Sequence, residues 1–476
     1  MNTINKILGL GLCLFFSAGC KKYIGIPPPT TSISADNVYT NDATAAAVMT
    51  GLFINMAEYS YFPGGGYTST GTELLGLCAD ELKRVTNLDN LSKTAYYSNG
   101  LYSNMINIGV PDYWGGTYTL IYSCNSTVEG ASASSSLTPA VKQQLTGEAK
   151  FMRAYCYYYL VNLYGDVPLI LSTDYTKNSL LPRTSKDSVW KQIISDLTDA
   201  QQLLSAKYLD ASLQNVTSQR VRPTQAAASA MLARAYLYTG DWADAETAAT
   251  AVISNGAYQL DSLNGVFLAN SKESIWQLQP VMNNINTGEG RTFIIPATGF
   301  DNFISTEALS NAQLNSFEQG DLRRKNWVDS IVWNGATYYY AYKYKVTLAS
   351  APLTEYIMML RLGEQYLIRA EARAQQGHLS DAAADLNAVR SRSGLPPTTA
   401  STLPDFLTAV LHERQTELFL EWGQRWFDLK RMNAVDSVMS IATPLKGGTW
   451  ASYKQYFPIP VYDIQHDVNL VQNNGY

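Results

Sequence analysis

Acidic and basic side chains alternate at intervals of three or four residues between positions 409 and 431, and this run is the strongest candidate for charge-based chemistry. Its charged members are Glu413, Arg414, Glu417, Glu421, Arg425, Asp428 and Arg431. Apolar residues recur at helical spacing in the same run, which predicts one long helix with ion pairs along its surface. The predicted pairs are Arg414–Glu417, Glu421–Arg425 and Arg425–Asp428. Because Trp422, Trp426 and Phe427 would shield these charges, we interpret the run as a buried structural clamp, with a solvated charged face as the alternative.

The sequence lacks the patterns of catalytic, metal-binding and nucleic-acid-binding proteins. His378, His412 and His466 lie far apart, and none has a Cys, Asp or His at the spacing of metal ligands. There is no GxSxG, HExxH, Walker or dinucleotide-binding motif. A net charge of −5 without a block of Lys and Arg gives no electrostatic footprint for nucleic acid. We therefore expect no enzymatic activity, no cofactor, no metal site and no nucleic-acid partner.

Two stretches of the chain repeat each other and predict the frame that positions the clamp. The segments beginning at Met231 and Ile368 share small residues, a turn glycine and an Asp-Ala pair at the same offsets. The matched pairs are Ala233/Ala370, Ala235/Ala372, Gly240/Gly377, Asp244/Asp381, Ala245/Ala382 and Val252/Val389. Small residues let two helices approach closely and the glycine turns the chain, so each stretch predicts a tetratricopeptide-type helical hairpin.

Further helices are expected around these hairpins. Residues 147–164 predict a helix whose return helix lies at 188–204, and residues 36–58 and 114–133 predict an early helical pair. With 46% hydrophobic and 16% charged residues, the chain has ample material for a core. We expect a mainly all-α fold with one domain over 36–476. Tetratricopeptide-like hairpins would form a right-handed helical scaffold with long irregular insertions and few short strands.

The N-terminus has the features of an export signal. An apolar stretch at 7–18 is too short to span a bilayer, and small residues precede Cys20. We expect residues 1–19 to be removed as a signal peptide and Cys20 to be lipidated. Residues 20–35, which include three consecutive prolines, would form an extended tether. A secreted protein with an incidental cysteine is the alternative.

The C-terminal part of the chain resembles a known family. The run 409–431 resembles the C-terminal signature of the SusD/RagB family of outer-membrane nutrient-binding lipoproteins, and the likeness extends to 361–396 and 456–476. The matching residues are Glu413-Arg414, Glu417-Leu418, Glu421-Trp422-Gly423-Gln424-Arg425 and Asp428-Leu429-Lys430-Arg431. Trp422 departs from the pattern, since many members join the Glu and the Gly directly.

The resemblance implies a function as well as a fold. It implies a lipid-anchored protein of the cell outer membrane, exposed at the surface, that binds oligosaccharides or polysaccharides and delivers them to a SusC-like TonB-dependent transporter. Two alternatives stay open: a peptide ligand, as in the RagB branch, and a helical-repeat assembly scaffold without a small ligand. Lys21 and Lys22 stand where surface-exposed members often carry acidic residues, so the sequence leaves the leaflet open.

Aromatic residues outside the predicted helices mark the expected ligand site. The chain holds 32 Tyr, 9 Trp and 14 Phe, and an aromatic ring with amide or carboxylate groups at its rim suits a sugar ring. By resemblance, the site lies among residues 59–107 and 282–303. The candidates are Tyr61, Tyr67, Asp80, Arg84, Tyr97, Tyr102, Asn104, Arg291 and Phe300. Structural roles are the alternative: Asp80 as a helix cap, Arg291 as a partner of Glu289, and the tyrosines of 338–340 as a half-buried strand.

Overall fold

Helices predominate in the chain, with a few short strands between them, as the sequence predicts. The computed structural model describes residues 35–59, 71–86, 89–105, 113–281, 285–347 and 353–476. The predicted signal peptide, Cys20 and the tether as far as residue 34 lie outside the described residues, as do Tyr61 and Tyr67.

The helices follow one another along the whole described chain. They are α1 (Ala35–Val38), α2 (Asp42–Tyr59), α3 (Gly71–Cys78), α4 (Leu91–Tyr97), α5 (Gly115–Ala133), α6 (Pro139–Tyr164), α7 (Tyr175–Asn178), α8 (Lys186–Leu203), α9 (Gln225–Thr239), α10 (Trp242–Ile253), α11 (Gly288–Phe293), α12 (Asn311–Asn315), α13 (Leu322–Asn326), α14 (Leu362–Gln375), α15 (Leu379–Arg392), α16 (Leu403–Glu417), α17 (Gln424–Arg431), α18 (Val435–Leu445) and α19 (Val461–His466), with a 3₁₀ turn at Ser452–Gln455.

The described strands pair into separate two-stranded antiparallel sheets. The strands are β1 (Leu82–Arg84), β2 (Ser274–Leu278), β3 (Glu307–Leu309), β4 (Val328–Trp333), β5 (Ala336–Ala341) and β6 (Ile357–Arg361). β1 pairs with β3, β2 with β6 and β4 with β5. The predicted half-buried strand is confirmed, because in β5 Tyr338 and Tyr339 are half-buried and Tyr340 is buried.

The two repeated stretches form matching helical hairpins, α9–α10 and α14–α15. Their turn glycines, Gly240 and Gly377, have φ angles of 80° and 83°, a left-handed conformation that glycine adopts at little cost. The paired small residues are buried on the facing sides of the helices; Ala233 and Ala370, for example, have no exposed surface. The hairpins inferred from self-comparison are therefore confirmed.

The helices stack side by side in chain order. Helix α5 packs on α6, α6 on α8, α8 on α9, α10 on α14, and α14 on both α15 and α16. The helix predicted at 147–164 begins earlier, at Pro139, because proline is tolerated in the first turn of a helix. The right-handedness of the stack stays a prediction.

Trp276 of β2 lies at the centre of the main core, against aromatic side chains of α6. Its ring has no exposed surface and meets the edges of Phe151 and Tyr155 at centroid distances of 5.2 and 5.7 Å. The indole N–H donates to the carbonyl of Val221 at 3.2 Å. Since each such ring pair contributes roughly 0.5–1.5 kcal/mol beyond area burial, this cluster joins the sheet firmly to the helical stack.

The single helix predicted at 409–431 is wrong, because a tight turn separates α16 from α17. Within it, Leu420, Trp422 and Gly423 have φ angles of 49°, 54° and 76°, and an α-helix of L-residues does not include such residues. At Gly423 an added Cβ would lie 2.3 Å from Cδ1 of Leu75, so both the backbone conformation and the available space require glycine.

Contacts with distant parts of the chain hold this turn. The backbone N–H of Leu420 donates to Oε1 of Glu81 at 2.8 Å, and that of Trp422 donates to the hydroxyl of Thr72 at 3.3 Å. The Trp422 indole donates to the carbonyl of Met358 at 2.6 Å. Left-handed residues other than glycine cost of order 1–3 kcal/mol, so these long-range bonds override the helical periodicity.

Because of the turn, the predicted ion pairs within the run are wrong, although the interpretation as a buried clamp is confirmed. Glu417, which has no exposed surface, pairs with Arg361 at 2.5 Å, with Arg323 at 3.0 Å and with Arg392. Glu273 bridges Arg361 and Arg392 at 2.9 and 2.8 Å. We call these five residues the clamp. They join α13, α15 and α16 to the beginning of β2 and the end of β6.

Three further charged residues of the run, Arg414, Arg425 and Arg431, also form ion pairs that differ from the predicted ones. Arg414 reaches Asp428 at 2.7 Å across the turn, and Arg431 reaches Asp428 at 2.8 Å. Arg425 pairs with Asp80 at 2.8 Å, far away in sequence. Removing one member of a buried ion pair leaves the other charge buried without its partner and costs about 3–5 kcal/mol, so the loss of any one of these residues should destabilise the fold.

Candidate functional site

Two of the irregular insertions meet beside the hairpin β4–β5. Strand β1 pairs with β3 so that Leu82 lies opposite Leu309. The backbone N–H groups of Val85 and Thr86 both donate to the carbonyl of Thr306, at 2.9 and 3.3 Å. Strand β3 in turn packs on β5. The structure thus brings the predicted site segments together, and we call residues 82–86, 299–309 and 328–341 the junction.

Aromatic rings gather at the junction. Phe300 meets Trp333 and Tyr338 edge to face at centroid distances of 5.4 and 5.0 Å. The Lys83 ammonium lies 5.3 Å from the centroid of the Tyr338 ring. Phe300 is buried, whereas Trp333 and Tyr338 are half-buried and present part of their rings to solvent. Such rings, fixed by one another, form a rigid apolar surface.

A carboxylate-capped turn holds one further ring in solvent. Oδ1 of Asp301 accepts the backbone N–H groups of Phe303 and Ile304 at 2.6 and 2.7 Å, and the Thr86 hydroxyl donates to the Asp301 carbonyl. Phe303 is 71% exposed. A single exposed apolar side chain is common on protein surfaces, so Phe303 gains significance only from the half-buried rings of the same junction.

Buried charges tie the two segments together beneath the aromatic surface. The Lys93 ammonium lies 2.6 Å from Glu73 and 3.3 Å from Glu307. Burial lowers the pKa of Lys93, but the two carboxylates outweigh burial and raise it. Burial raises the pKa of Glu73, and neighbouring Glu307 raises it further. This arrangement is structural, because the charged groups have almost no access to solvent.

Asp80 and Arg84, predicted at the polar edge of the site, are buried. Both carboxylate oxygens of Asp80 accept from Arg425 at 2.8 Å, and Asp80 is 6% exposed. Burial opposes ionisation of Asp80, but the bonds from Arg425 prevail and lower its pKa. Arg84 is 8% exposed, donates to the Thr94 hydroxyl and lies 3.9 Å from Glu307. Burial disfavours both as ligand contacts, and Asp80 joins two helices instead of capping one.

Tyr97, Tyr102 and Asn104 lie nearer the surface. Tyr97 is half-buried, and its hydroxyl is hydrogen-bonded to the backbone of Arg84 in β1. Tyr102 is 48% exposed and Asn104 is also exposed. The carbonyl of Ser103, between them, accepts the backbone N–H of Val461 at 2.8 Å. Tyr97 thus adjoins the junction, whereas Tyr102 and Asn104 lie beside α19. Their ligand contacts stay predictions.

Arg291 and Phe300 have different settings in the second segment. Arg291 is half-buried in α11, and Glu289 of the same helix is buried, so that burial raises its pKa to about 7. Their predicted pairing stays untested. Phe300 is a packing residue of the aromatic cluster, and the more accessible rings belong to Phe303, Trp333 and Tyr338. The sequence signal for Phe303 was its place after Asp301 and Asn302, two turn-forming residues.

Neither a metal-binding cluster nor a membrane-spanning helix is found in the part of the chain that the structure describes. Within the ranges given above, no cluster of three or more His, Cys, Asp or Glu side chains is arranged to hold a metal ion. Within the same ranges, no helix has the length and apolar character needed to cross a bilayer.

Comparison with known proteins assigns the family. Residues 77–237 match a SusD-like profile described as starch-binding associating with outer membrane, and residues 281–476 match the SusD family profile. The chain belongs to the SusD/RagB family. The second SusD match covers every clamp residue except Glu273 and most of the junction, including Phe300 and Phe303.

Known relatives align with most of the length of this SusD-family chain. A SusD-like protein of Formosa agariphila is 25% identical over 419 residues, which cover 77% of this chain and 81% of the relative. The solved structure of a SusD superfamily protein from Bacteroides vulgatus covers 91% of this chain and 99% of its own, with a TM-score of 0.77 and 19% identity. A laminarin-binding SusD-like protein covers 92% and 100%, with a TM-score of 0.74 and 22% identity.

Proposed function

We propose that this protein is a non-catalytic lipoprotein of the cell outer membrane that binds oligosaccharides or polysaccharides and delivers them to a SusC-like TonB-dependent transporter. The observation that carries the proposal is the junction, where Phe300 packs against the half-buried rings of Trp333 and Tyr338 and Phe303, three residues further along the chain, is 71% exposed. The family description as starch-binding and the laminarin-binding relative support a glycan as the ligand class.

The chemistry of the junction suits a sugar ring. A pyranose has apolar C–H faces that stack on an aromatic ring and hydroxyl edges that need hydrogen-bonding partners. If one stacked ring contributes about 1 kcal/mol, a millimolar to micromolar affinity of about −4 to −8 kcal/mol requires several rings and polar contacts. Phe303, Trp333 and Tyr338 supply rings, and Lys83 supplies a donor among them. Tyr97, which is hydrogen-bonded to β1, and Arg291 are further candidates.

The membrane anchor completes the proposal. Lipidation of Cys20 would attach the protein, and residues 20–35 would hold the single domain of 36–476 away from the bilayer. In many binding proteins a rigid scaffold of secondary structure positions the loops, and the loops carry the contact surface. Delivery to a transporter requires a site that binds without bond cleavage, and the rings of the junction supply an apolar surface for such binding.

The proposal is tested by titrating the protein with neutral glucans, including laminarin oligosaccharides, and with a panel of peptides. We expect saturable glycan binding. Phe303→Ala should raise the Kd by about threefold to tenfold, since one stacked ring is lost. Tyr175→Ala removes a ring that is 79% exposed in α7, outside the junction, and should leave the Kd unchanged. Binding of peptides alone would assign the protein to the RagB-like alternative, and equal Kd values for all three proteins would place the glycan site elsewhere.

A further inference from the structure

A second cavity lies between α5 and the C-terminal helix α19. Its volume is about 620 Å³, within the range of roughly 300–1,000 Å³ found for small-molecule sites. Its lining residues include Trp114, Tyr118, Tyr122, Asp463, His466 and Asp467. We call this cavity the α5–α19 groove. None of its lining residues belongs to the junction, so the groove and the junction share no residue.

Aromatic residues at successive turns of α5 form one wall of the groove. Trp114 and Tyr118 meet edge to face at 5.1 Å, and the Tyr118 hydroxyl donates to the carbonyl of Pro168 at 2.9 Å. These contacts fix both rings. Tyr122, one turn further along, is 56% exposed. A ring this accessible, at the end of a rigid aromatic row, is a ready stacking platform.

Two carboxylates of the C-terminal segment also line the groove. Asp463 is half-buried and receives a hydrogen bond from the Trp114 side chain. Burial raises the pKa of Asp463 and outweighs the bond from Trp114 and the proximity of His466, both of which lower it. Asp467 also lines the groove, and its Oδ1 accepts the backbone N–H of Asn469 at 2.9 Å. Asp463 and Asp467 are the acidic side chains among the lining residues, and the lining includes no Lys or Arg, so the groove favours hydroxyl donors over anions.

The C-terminal segment of the groove is held in place by bonds to other segments. The first residue of α19, Val461, donates its backbone N–H to the carbonyl of Ser103 at 2.8 Å. Beyond the helix, the Asn469 amide donates to the carbonyl of Leu180 at 2.8 Å. The imidazole of His466 stacks on Tyr462 at 4.1 Å. A cavity with fixed walls loses little conformational entropy when a ligand enters.

We propose that the α5–α19 groove is a second saccharide site, which binds a neutral hexopyranose unit on Tyr122 with Asp463 and Asp467 accepting from its hydroxyl groups. The choice of a sugar as ligand rests on the proposed function, whereas the site itself rests on the groove. A second site would let the protein hold a long polysaccharide at two points, and two linked contacts strengthen overall binding even when each is weak.

The test uses methyl β-glucoside, methyl α-mannoside and methyl β-galactoside as probes, titrated by saturation-transfer NMR. The background is a Phe303→Ala/Trp333→Ala variant of the full chain, in which the junction has lost two rings. We expect at least one probe to bind saturably, and Tyr122→Ala in this background to raise its Kd by about threefold to tenfold. Tyr122→Phe keeps the ring and should retain binding, and Tyr175→Ala should have no effect.

Each outcome decides between the two sites. Saturable binding that is lost with Tyr122→Ala supports the groove, whether or not the junction variants weaken binding relative to the wild type. If the junction variants change nothing, the proposed junction site is wrong while the groove stands. If no probe binds in the background, or if Tyr122→Ala leaves the Kd unchanged, the inference is overturned. If Tyr122→Ala abolishes co-purification with a transporter but leaves the Kd for the sugar unchanged, the groove is a protein interface and the inference of a saccharide site is overturned.

Discussion

Replacing Glu417 with glutamine removes the central negative charge of the clamp while keeping the shape of the side chain. Arg323, Arg361 and Arg392 would each lose one carboxylate partner inside the fold, where all four side chains are nearly or fully buried. Breaking a buried ion pair by removing one partner costs about 3–5 kcal/mol. Unfolding entropy of about 2.1 cal/mol/K per residue gives roughly 1 kcal/mol/K for 476 residues. The Tm should therefore fall by about 3–5 °C at neutral pH.

The pH dependence of this loss checks its electrostatic origin. Burial opposes ionisation of Glu417, but Arg392, Arg361 and Arg323 outweigh burial and hold its pKa well below the ordinary value. A lowered pKa means that the stabilisation is present above the unfolded pKa of about 4.3 and is lost as the pH falls toward the folded pKa. The Tm difference between wild type and Glu417→Gln, measured by calorimetry, should thus narrow below about pH 4.

A surface pair provides the control for this measurement. Lys177 is 79% exposed at its side chain and pairs with Asp174 at 3.1 Å. Because water screens such a pair, Lys177→Gln should leave the Tm unchanged. If Glu417→Gln shifts the Tm by no more than this control, or if its effect does not depend on pH, the clamp does not act as an ion-pair network.

Three further results are expected. Gly423→Ala should lower the free energy of unfolding by about 1–3 kcal/mol, because the φ of Gly423, 76°, is left-handed and the new Cβ would meet Leu75. Gly447 has a φ of 78° and open space around it, so Gly447→Ala should be less destabilising. Equal losses of stability would contradict the steric argument. Asp80→Asn should lower the Tm but change the glycan Kd by less than twofold; the reverse result would make Asp80 a ligand contact. Burial raises the pKa of Cys156 well above that of a free thiol, so iodoacetamide should label Cys156 only after the protein unfolds. Peptide mapping by mass spectrometry measures this labelling, and labelling of the native protein would refute the burial of Cys156.

The helical hairpins were predictable from the sequence because their determinants are local. Ala233 and Ala370 mark close helix contacts, and Gly240 and Gly377 mark turns, at identical offsets in the two copies. Each signal lies within the element that it specifies. The repeat therefore shows the frame without any knowledge of long-range contacts.

The break between α16 and α17 was not predictable, because its causes lie elsewhere in the chain. Helical periodicity continues through residues 418–423, yet Leu420 and Trp422 bond to Glu81 and Thr72, more than 300 positions away. The burial of Asp80 has the same origin in its pairing with Arg425. Spacing within one helix gives no information on such partners.

The sequence indicated two segments for the candidate site, but it did not indicate which of their residues are buried and which are exposed. The segments 59–107 and 282–303 do meet, through β1 and the turn of Asp301. Which rings face solvent depends on local geometry: Phe300 packs against Trp333, whereas the capped turn exposes Phe303. An aromatic residue in a loop has the same appearance in the sequence in both cases.

The most direct test of the central claim is a crystal structure of the protein with an oligosaccharide that it binds in solution. The account predicts intact sugar density at the junction, with one pyranose ring against Phe303 and contacts to Trp333 or Tyr338. Density that is absent from the junction, or a cleaved sugar there, would contradict it.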